Sequence, residues 1–129
     1  MVTPLDVFSG FSVNDIPAAK AFYGETLGLD ISEGPMGNLD LRLPAGGHVF
    51  IYPKDDHEPA SFTILNLVVD DIDTAVDELN AKGVKTAIYD DPNLPTDAKG
   101  VLRGKAANQG PDIAWFRDPA GNVLSVLQN

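Results

Sequence analysis

A strict alternation of leucine with charged residues gives the clearest strand of the chain. Residues 39–43 place leucine at every second position, with Asp40 and Arg42 between them, which is the period-two pattern of a half-buried strand. A Pro-Ala-Gly-Gly turn at 44–47 and an apolar run at 49–52 follow. This order predicts a β-hairpin with one face against a core.

Two helices are predicted from a motif that occurs twice. Residues 13–16 and 69–72 both read Val-x-Asp-Ile and each connects an apolar strand to an amphipathic segment. The aspartates suit helix N-caps, and Gly28 and Gly83 suit the left-handed residue that ends a helix. The 56-residue spacing indicates a duplicated βαβββ unit, with a first module at 1–58 and a second at 59–129.

A second hairpin, at 113–127, ends the second module, but at a different spacing. Matching Gly47 to Gly121 gives an offset of 74 residues, so about 18 extra residues lie between helix and hairpin in the second module. We assign them to an inserted loop at about 90–112, rich in Pro, Gly, Asn and Asp. Three basic residues make this loop a candidate lid over an anion: Lys99, Arg103 and Lys105.

The overall composition limits the possible partners. The 129 residues carry a formal charge of −10, from 19 acidic and 9 basic side chains. Such a charge disfavours nucleic acid and anionic membranes, and it either attracts a cationic small molecule or only maintains solubility. There is no cysteine, so disulfides and thiol chemistry are excluded. With no apolar run of membrane-spanning length and no signal-like start, we expect a cytoplasmic protein.

The order of these motifs resembles one known superfamily. The chain resembles the vicinal oxygen chelate superfamily over its whole length. The resemblance is carried by residues 13–16, 22–23 (Phe-Tyr), 27–29 (Leu-Gly-Leu) and 69–72, and by the Asp-Pro-Ala-Gly-Asn turn within 116–123. This superfamily includes glyoxalase I, extradiol dioxygenases and bleomycin-resistance proteins. The resemblance implies an α+β fold in which two βαβββ modules form a curved mixed sheet, with helices on the convex face and a pocket on the concave face.

Strand alternation then sorts side chains between the two faces. In the first strand Phe11 and Val13 should face the helices, and alternate residues should face the pocket. By the same count Trp115 falls on the convex side, although a slip of one residue would move it inside. Ten residues are the candidates for the ligand-binding pocket: Phe8, Asp40, Arg42, Ile51, Ile64, Asn66, Arg103, Trp115, Phe116 and Ser125.

The resemblance also implies where a metal would be held. Metal-using members place ligands at positions that correspond here to Phe8, Ile51, Ile64 and Ser125. None of these offers the imidazole or carboxylate that a divalent metal requires, so we expect no metal and no cofactor. The two histidines, His48 and His57, lie in loop sequence without a cluster of other ligands.

Three functions therefore remain open from the sequence. The first is a metal-free protein that binds an aromatic or amphipathic small molecule, such as an antibiotic or metabolite, as bleomycin-resistance proteins do. The second is a glyoxalase- or dioxygenase-like lyase or isomerase with a non-standard site, for which Asp40 is the candidate base. The third is a homodimer whose cavity is filled by its own side chains. We expect a symmetric homodimer in any case, because a sheet with free edges favours pairing.

Overall fold

The computed structural model describes residues 1–129, except for the side chain of Asp90. The chain divides into two compact units, Met1–Glu58 and Pro59–Asn129. Each unit contains a four-stranded mixed sheet and one main helical segment. The two units are described in turn.

The first unit has the strand order β1-β4-β3-β2. Strands β1 and β4 run parallel, and the other neighbouring pairs are antiparallel. A parallel pair requires a crossover connection, and the helical segment after β1 supplies part of it. The elements are β1 (Ser9–Val13), helix α1 (Ile16–Lys20), a π-helical segment (Ala21–Thr26), β2 (Asp30–Glu33), β3 (Leu39–Arg42) and β4 (His48–Pro53).

The first helix begins as predicted but changes its hydrogen bonding after one turn. The Asp15 side chain accepts a hydrogen bond from the Ala18 amide at 3.0 Å, which makes it the N-cap. From Ala21 onward the segment is π-helical, and the Leu27 amide donates to the Phe22 carbonyl at 2.9 Å. Gly28 then takes a φ of 70°, as the C-terminal glycine signal predicts.

One face of the first sheet is buried against this helical segment. Phe11 contacts Tyr23 with ring centroids 5.8 Å apart, which identifies the face of Phe11 as the helix face. Six strand residues share it and are at most 8% exposed: Phe11, Val13, Leu39, Leu41, Val49 and Ile51. The alternate residues of the same strands form the opposite face, which we call the open face of the first unit.

The second unit repeats this topology with the strand order β5-β10-β9-β8. Its parallel pair is β5 with β10, and β9 is antiparallel to both of its neighbours. The elements are β5 (Thr63–Val68), helix α2 (Ile72–Ala81), the two-stranded hairpin of β6 (Asp90–Asp91) and β7 (Leu94–Pro95), β8 (Val101–Arg103), β9 (Asp112–Arg117) and β10 (Val123–Gln128).

Helix α2 has the ends that the sequence predicts. Asp71 is its N-cap and accepts from the amides of Asp73 and Thr74 at 3.0 and 3.3 Å. The first helical amide, that of Ile72, donates to the side chain of Gln128 on β10 at 2.9 Å. Gly83 follows the helix with a φ of 83°. The helix buries Ile72, Val76 and Leu79.

The predicted inserted loop at 90–112 is only partly correct. Residues 101–103 are strand β8 and Asp112 begins β9, so both belong to the sheet. The Ala87 amide donates to the Trp115 carbonyl at 2.8 Å, so the chain already lies beside β9 before the excursion. The extra residues therefore interrupt the edge strand near 88–100 and lengthen the connection from β8 to β9 at 104–111.

The hairpins correct the predicted match between the two modules by one residue. The Gly46 amide donates to the Leu43 carbonyl, and the Gly121 amide donates to the Asp118 carbonyl in the same turn geometry. Gly46, and not Gly47, is thus the counterpart of Gly121, and the offset is 75 residues. The difference arises because Gly46-Gly47 offers two equivalent matches in sequence, and hydrogen bonds distinguish them.

Because strand side chains alternate, this one-residue correction changes several predicted orientations. Ile51 is fully buried on the helix face. Its neighbour Phe50 occupies the open-face position that the sequence assigned to Ile51. In β9, Phe116 pairs with the buried Leu124, and both lie on the buried face with Ala114. The predicted orientation of Ile51 and Phe116 toward the open faces is therefore wrong.

Trp115 was predicted on the helix side of its sheet but lies on the opposite face. It pairs with Ser125, so its side chain lies on the face opposite Phe116. We call this second face, which also carries Asn66, the open face of the second unit. The predicted convex position of Trp115 is wrong, and the one-residue slip considered from the sequence is what the register shows.

The α+β fold class of two βαβββ modules is confirmed by these two sheets and their helices. The described part of the chain contains no helix that combines the length and the apolar character needed to cross a membrane.

The second hairpin allows a test of its buried polar contacts. Asp118 is 5% exposed, and its Oδ1 accepts from the amides of Ala120 and Asn122 at 2.9 and 2.8 Å. We expect Asp118→Ala to lower the free energy of unfolding by about 3 kcal/mol, because buried amides lose their acceptor. Urea unfolding measures this change. Leu43 is the counterpart of Asp118 in the first hairpin, and Leu43→Ala should lower the free energy of unfolding by less than about 1 kcal/mol. Equal losses in the two variants would contradict the stabilising role of the buried Asp118 hydrogen bonds.

Candidate functional site

Aromatic rings form a row on the open face of the first unit. His48, Phe50 and Tyr52 are alternate residues of β4, so their side chains leave the same face. Phe8 stacks on His48 with centroids 4.7 Å apart, and Phe50 stacks on Tyr52 at 5.8 Å. Phe8 and Phe50 are 6.4 Å apart and complete the row. We call these four residues the aromatic row.

The aromatic row remains accessible to a ligand within this unit. Phe8 is 55% exposed, so its ring can be reached from solvent. Gly10, the strand partner of Phe50, adds no side chain to the face. A Cβ there would lie 3.6 Å from the Phe50 Cβ and 3.9 Å from the Tyr52 ring. Glycine at this position thus leaves the face without a side chain beside Phe50 and Tyr52.

A carboxylate lies beside the row. Asp40 is the β3 partner of Phe50, and its Oδ1 is 4.0 Å from the His48 Nε2. Its side chain is 31% exposed, so the charge reaches water at the edge of the aromatic surface. An aromatic surface with an adjacent carboxylate can hold a planar group and an attached cation together.

The structure also brings Ser12 and His57 together, which the sequence did not predict. The Ser12 Oγ and the His57 Nδ1 are 2.6 Å apart, although 45 residues separate them. The Lys54 amide donates to the Val13 carbonyl and the His57 amide to the Lys54 carbonyl, so the turn after β4 is fixed against β1. These bonds give the pair a structural role. Triad chemistry would further require an orienting acid and oxyanion donors.

The open face of the second unit is smaller and more polar. The Ser125 hydroxyl donates to the Asn66 Oδ1 at 2.6 Å, and Ser125 is fully buried. The Trp115 Nε1 donates to the Thr63 Oγ1 at 3.2 Å, and its ring meets Tyr89 edge-on at 5.8 Å. These contacts hold the indole in place beside Ser125.

The predicted basic lid is instead held in an ion network. Arg103 forms a bidentate pair with Asp73, with N–O distances of 2.8 and 3.1 Å, and its Nε donates to Asp97 at 3.0 Å. Lys99 contacts Asp73 and Asp77, each at 3.0 Å. These contacts engage the charged groups of Arg103 and Lys99, which argues against a role for these two residues in closing over an anion.

This network changes the acidity of its members. Hydrogen bonds from Arg103, and then from Lys99, hold the pKa of Asp73 well below its usual value of 3.8. The same contact with Asp73 raises the pKa of Arg103. Asp73 also lies in the first turn of α2, where the helix dipole favours a negative charge. The network therefore fastens the edge strand to the start of α2.

The residues at the implied metal positions do not fit a divalent metal. Phe8 and Ile64 offer no donor atom, and the corrected register puts Phe50 in place of Ile51. The Ser125 hydroxyl is neutral and donates its hydrogen bond to Asn66. Among the side chains that the structure describes, no three His, Cys, Asp or Glu groups lie close enough to hold a metal ion.

The candidate residues therefore fall into separate groups. Phe8 and Asp40 lie on the open face of the first unit, and Asn66, Trp115 and Ser125 on that of the second. Arg42 also leaves the open face of the first unit, opposite His48, and lines a cleft at the end of β3. His48, Phe50 and Tyr52 belong to the row but are not among the ten candidates from the sequence. The signal was present in the alternation of β4, but it needed the correct hairpin register.

These observations define a class: a protein of two βαβββ units with an aromatic open face and, among the described side chains, no metal-donor set. The chain matches the Glyoxalase/Bleomycin resistance protein/Dioxygenase superfamily over residues 6–126. It belongs to this superfamily, as the resemblance in its motifs implies.

Solved structures agree with this assignment. A superfamily member from Sphaerobacter thermophilus is 23% identical, with 95% of this chain and 94% of that chain covered and a TM-score of 0.69. TnmS3, an antibiotic-binding protein from Streptomyces sp. CB03234, is 25% identical, with 98% of each chain covered and a TM-score of 0.64. A glyoxalase/bleomycin resistance protein from the same organism is also 25% identical, with 94% of this chain and 97% of that chain covered and a TM-score of 0.62. No curated protein sequence matches the chain.

The ion network predicts a specific dependence of stability on pH. Asp73 has a lower pKa in the folded state than in the unfolded state, so its contribution is complete above about pH 4 and lost as the pH falls further. In Arg103→Met this contribution should shrink, which lowers the thermal midpoint near neutral pH and flattens its fall in acid. Thermal unfolding across a pH series measures both effects. Lys105→Met is the control, and the same flattening there would contradict the explanation.

Proposed function

We propose that this protein binds a small aromatic or amphipathic molecule without a resident metal, and that the ligand stacks on the aromatic row. The observation that supports this most is the accessible surface of Phe8, Phe50 and Tyr52 on one face, with no side chain at Gly10. Ring stacking on such a surface is favourable for any planar group and needs no catalytic residue.

The charge distribution favours a cationic ligand over an anionic one. Asp40 lies beside Phe50, and the formal charge of the chain is −10. Lys99 and Arg103 are engaged by aspartates, which weakens the earlier argument for an anion under a basic lid. A planar ligand with an attached amine is therefore the chemistry that we expect to bind best.

The relatives support the same class of function. TnmS3, at 25% identity, binds an antibiotic according to its description. Sequestration of an antibiotic or of an aromatic metabolite is the role we propose here by analogy. The alternative, a lyase or isomerase with a non-standard site, would depend on Asp40 and its neighbour His48, which lie 4.0 Å apart.

Dye binding tests the proposed site. Acridine orange, a planar cation, should bind saturably, as followed by its fluorescence. Phe50→Ala should weaken binding by about tenfold, because each stacked aromatic contact contributes about 0.5–1.5 kcal/mol beyond its buried area. The matched control is Phe62→Ala, since Phe62 is 67% exposed and lies outside the row.

Two results would contradict the proposal. One is binding that Phe50→Ala and Phe62→Ala weaken equally. The other is no thermal shift with any member of a broad panel of antibiotics and aromatic metabolites.

Elemental analysis of the purified protein addresses the alternative, because stoichiometric Ni, Zn, Mn or Fe would favour the enzyme. Asp40→Asn should reduce the preference for acridine orange over the anionic dye 1-anilinonaphthalene-8-sulfonate.

We also propose that the protein acts as a homodimer. Strands β1 and β5 each lie at an edge of their sheet, and an edge strand presents unpaired backbone groups to a partner. Gel filtration with light scattering measures the oligomeric state directly.

A further inference from the structure

A cleft of about 430 Å³ lies at the outer end of the first sheet, and none of the aromatic row lines it. This volume lies within the range of about 300–1,000 Å³ that is usual for small-molecule sites. Its wall comes from the end of the helical segment, the start of β2 and the β3–β4 hairpin. The lining residues are Gly28, Leu29, Asp30, Arg42, Leu43, Pro44, Gly46 and Gly47.

Arg42 differs from its counterpart in the second unit. At the offset of 75 residues that the hairpins define, Arg42 corresponds to Arg117. The Arg117 Nη1 donates to the Gly121 carbonyl at 2.8 Å and thereby closes onto its own hairpin. The Arg42 side chain forms no hydrogen bond or ion pair with any residue that the structure describes. Its donors are thus available to a ligand in the cleft.

Asp30 supplies the opposite charge. It is the β2 partner of Arg42, and residues directly opposite on antiparallel strands normally interact when their charges are opposite. Here the two groups form no ion pair, and Asp30 also has no partner among the described side chains. The cleft therefore presents one available guanidinium and one available carboxylate.

The rest of the cleft is apolar or has no side chain. Leu29, Leu43 and Pro44 provide an apolar wall. Gly28, Gly46 and Gly47 have φ values of 70°, 106° and 86°, a region that disfavours residues with a side chain. A Cβ at Gly28 or Gly46 would meet no atom within 4 Å, so glycine there leaves the cleft open.

We propose that this cleft binds a free α-amino acid with an apolar side chain, with its carboxylate on Arg42 and its ammonium group on Asp30. The guanidinium matches a carboxylate with two parallel hydrogen bonds, and the Asp30 carboxylate accepts from an ammonium group. A ligand that carries both charges satisfies both residues, whereas a simple anion or cation leaves one of them beside a like charge. Arg42 lies opposite His48 on the same face of the sheet, but none of the aromatic row lines the cleft, and the proposal does not depend on the function proposed for the row.

The full chain can be titrated with L-leucine while amide signals are followed by two-dimensional NMR. We expect saturable shifts at Gly28, Gly46 and Gly47. Arg42→Gln and Asp30→Asn should each weaken binding by about tenfold, since each removes one charged contact. Arg117→Gln and Asp55→Asn carry the same changes of charge outside the cleft and should bind as the unmodified protein does.

Blocked ligands separate the possible outcomes. N-acetyl-L-leucine lacks the ammonium group and L-leucinamide lacks the carboxylate, so both should bind at least about tenfold more weakly than leucine. If N-acetyl-L-leucine binds as well as leucine and Asp30→Asn tightens it, the cleft is a simple anion site and the proposal is wrong. No shift of the three glycine signals at millimolar leucine, or equal losses in the control variants, would also overturn it. Leucine binding should be unchanged in Phe50→Ala, because Phe50 does not line the cleft, and this distinguishes failure here from failure at the aromatic row.

Discussion

The pleat of each sheet, with one face packed against a helix, is the constraint on which the remaining features depend. Successive side chains must leave opposite faces, and the helix face accepts only apolar groups of suitable size. Phe11 against Tyr23 shows this packing in the first unit, and Val76 is fully buried in the second. Once this face is fixed, the residues that remain available for ligands are fixed as well.

The turns set this division between faces as much as the strands do. In each unit a five-residue hairpin determines which residue of the return strand reaches the open face. Asp118 and Asn122 hold the second hairpin with buried hydrogen bonds, and the Asn122 side chain also accepts from the Ala60 amide at 3.1 Å. This connection ties the hairpin to the start of the unit. A shift of one residue there would exchange Ser125 for a neighbour and alter the open face.

The duplicated units have diverged in how they use charge. In the second unit Arg103 joins β8 to the first turn of α2, and Arg117 closes its own hairpin. In the first unit Arg42 and Asp30 remain available at a cleft, and Asp40 lies beside aromatic rings. Duplication supplied similar positions, and different local partners decide whether each charge supports the fold or remains available to a ligand.

The sequence alone determined the fold class, the two helices with their caps and the lack of imidazole or carboxylate at the implied metal positions. These follow from local patterns: period-two alternation, the Val-x-Asp-Ile motif, the glycines after each helix and the residue types at four positions. Tertiary structure alone decided the hairpin register, because Gly46-Gly47 permits two matches and only hydrogen bonds separate them. It therefore decided that Phe50, rather than Ile51, is available, and that Trp115, rather than Phe116, lies on the open face. It also decided the role of Arg103, since its partners Asp73 and Asp97 are set by how the edge strand folds back against α2. A charged residue has many possible partners in sequence, and only the folded chain brings particular ones within hydrogen-bond distance.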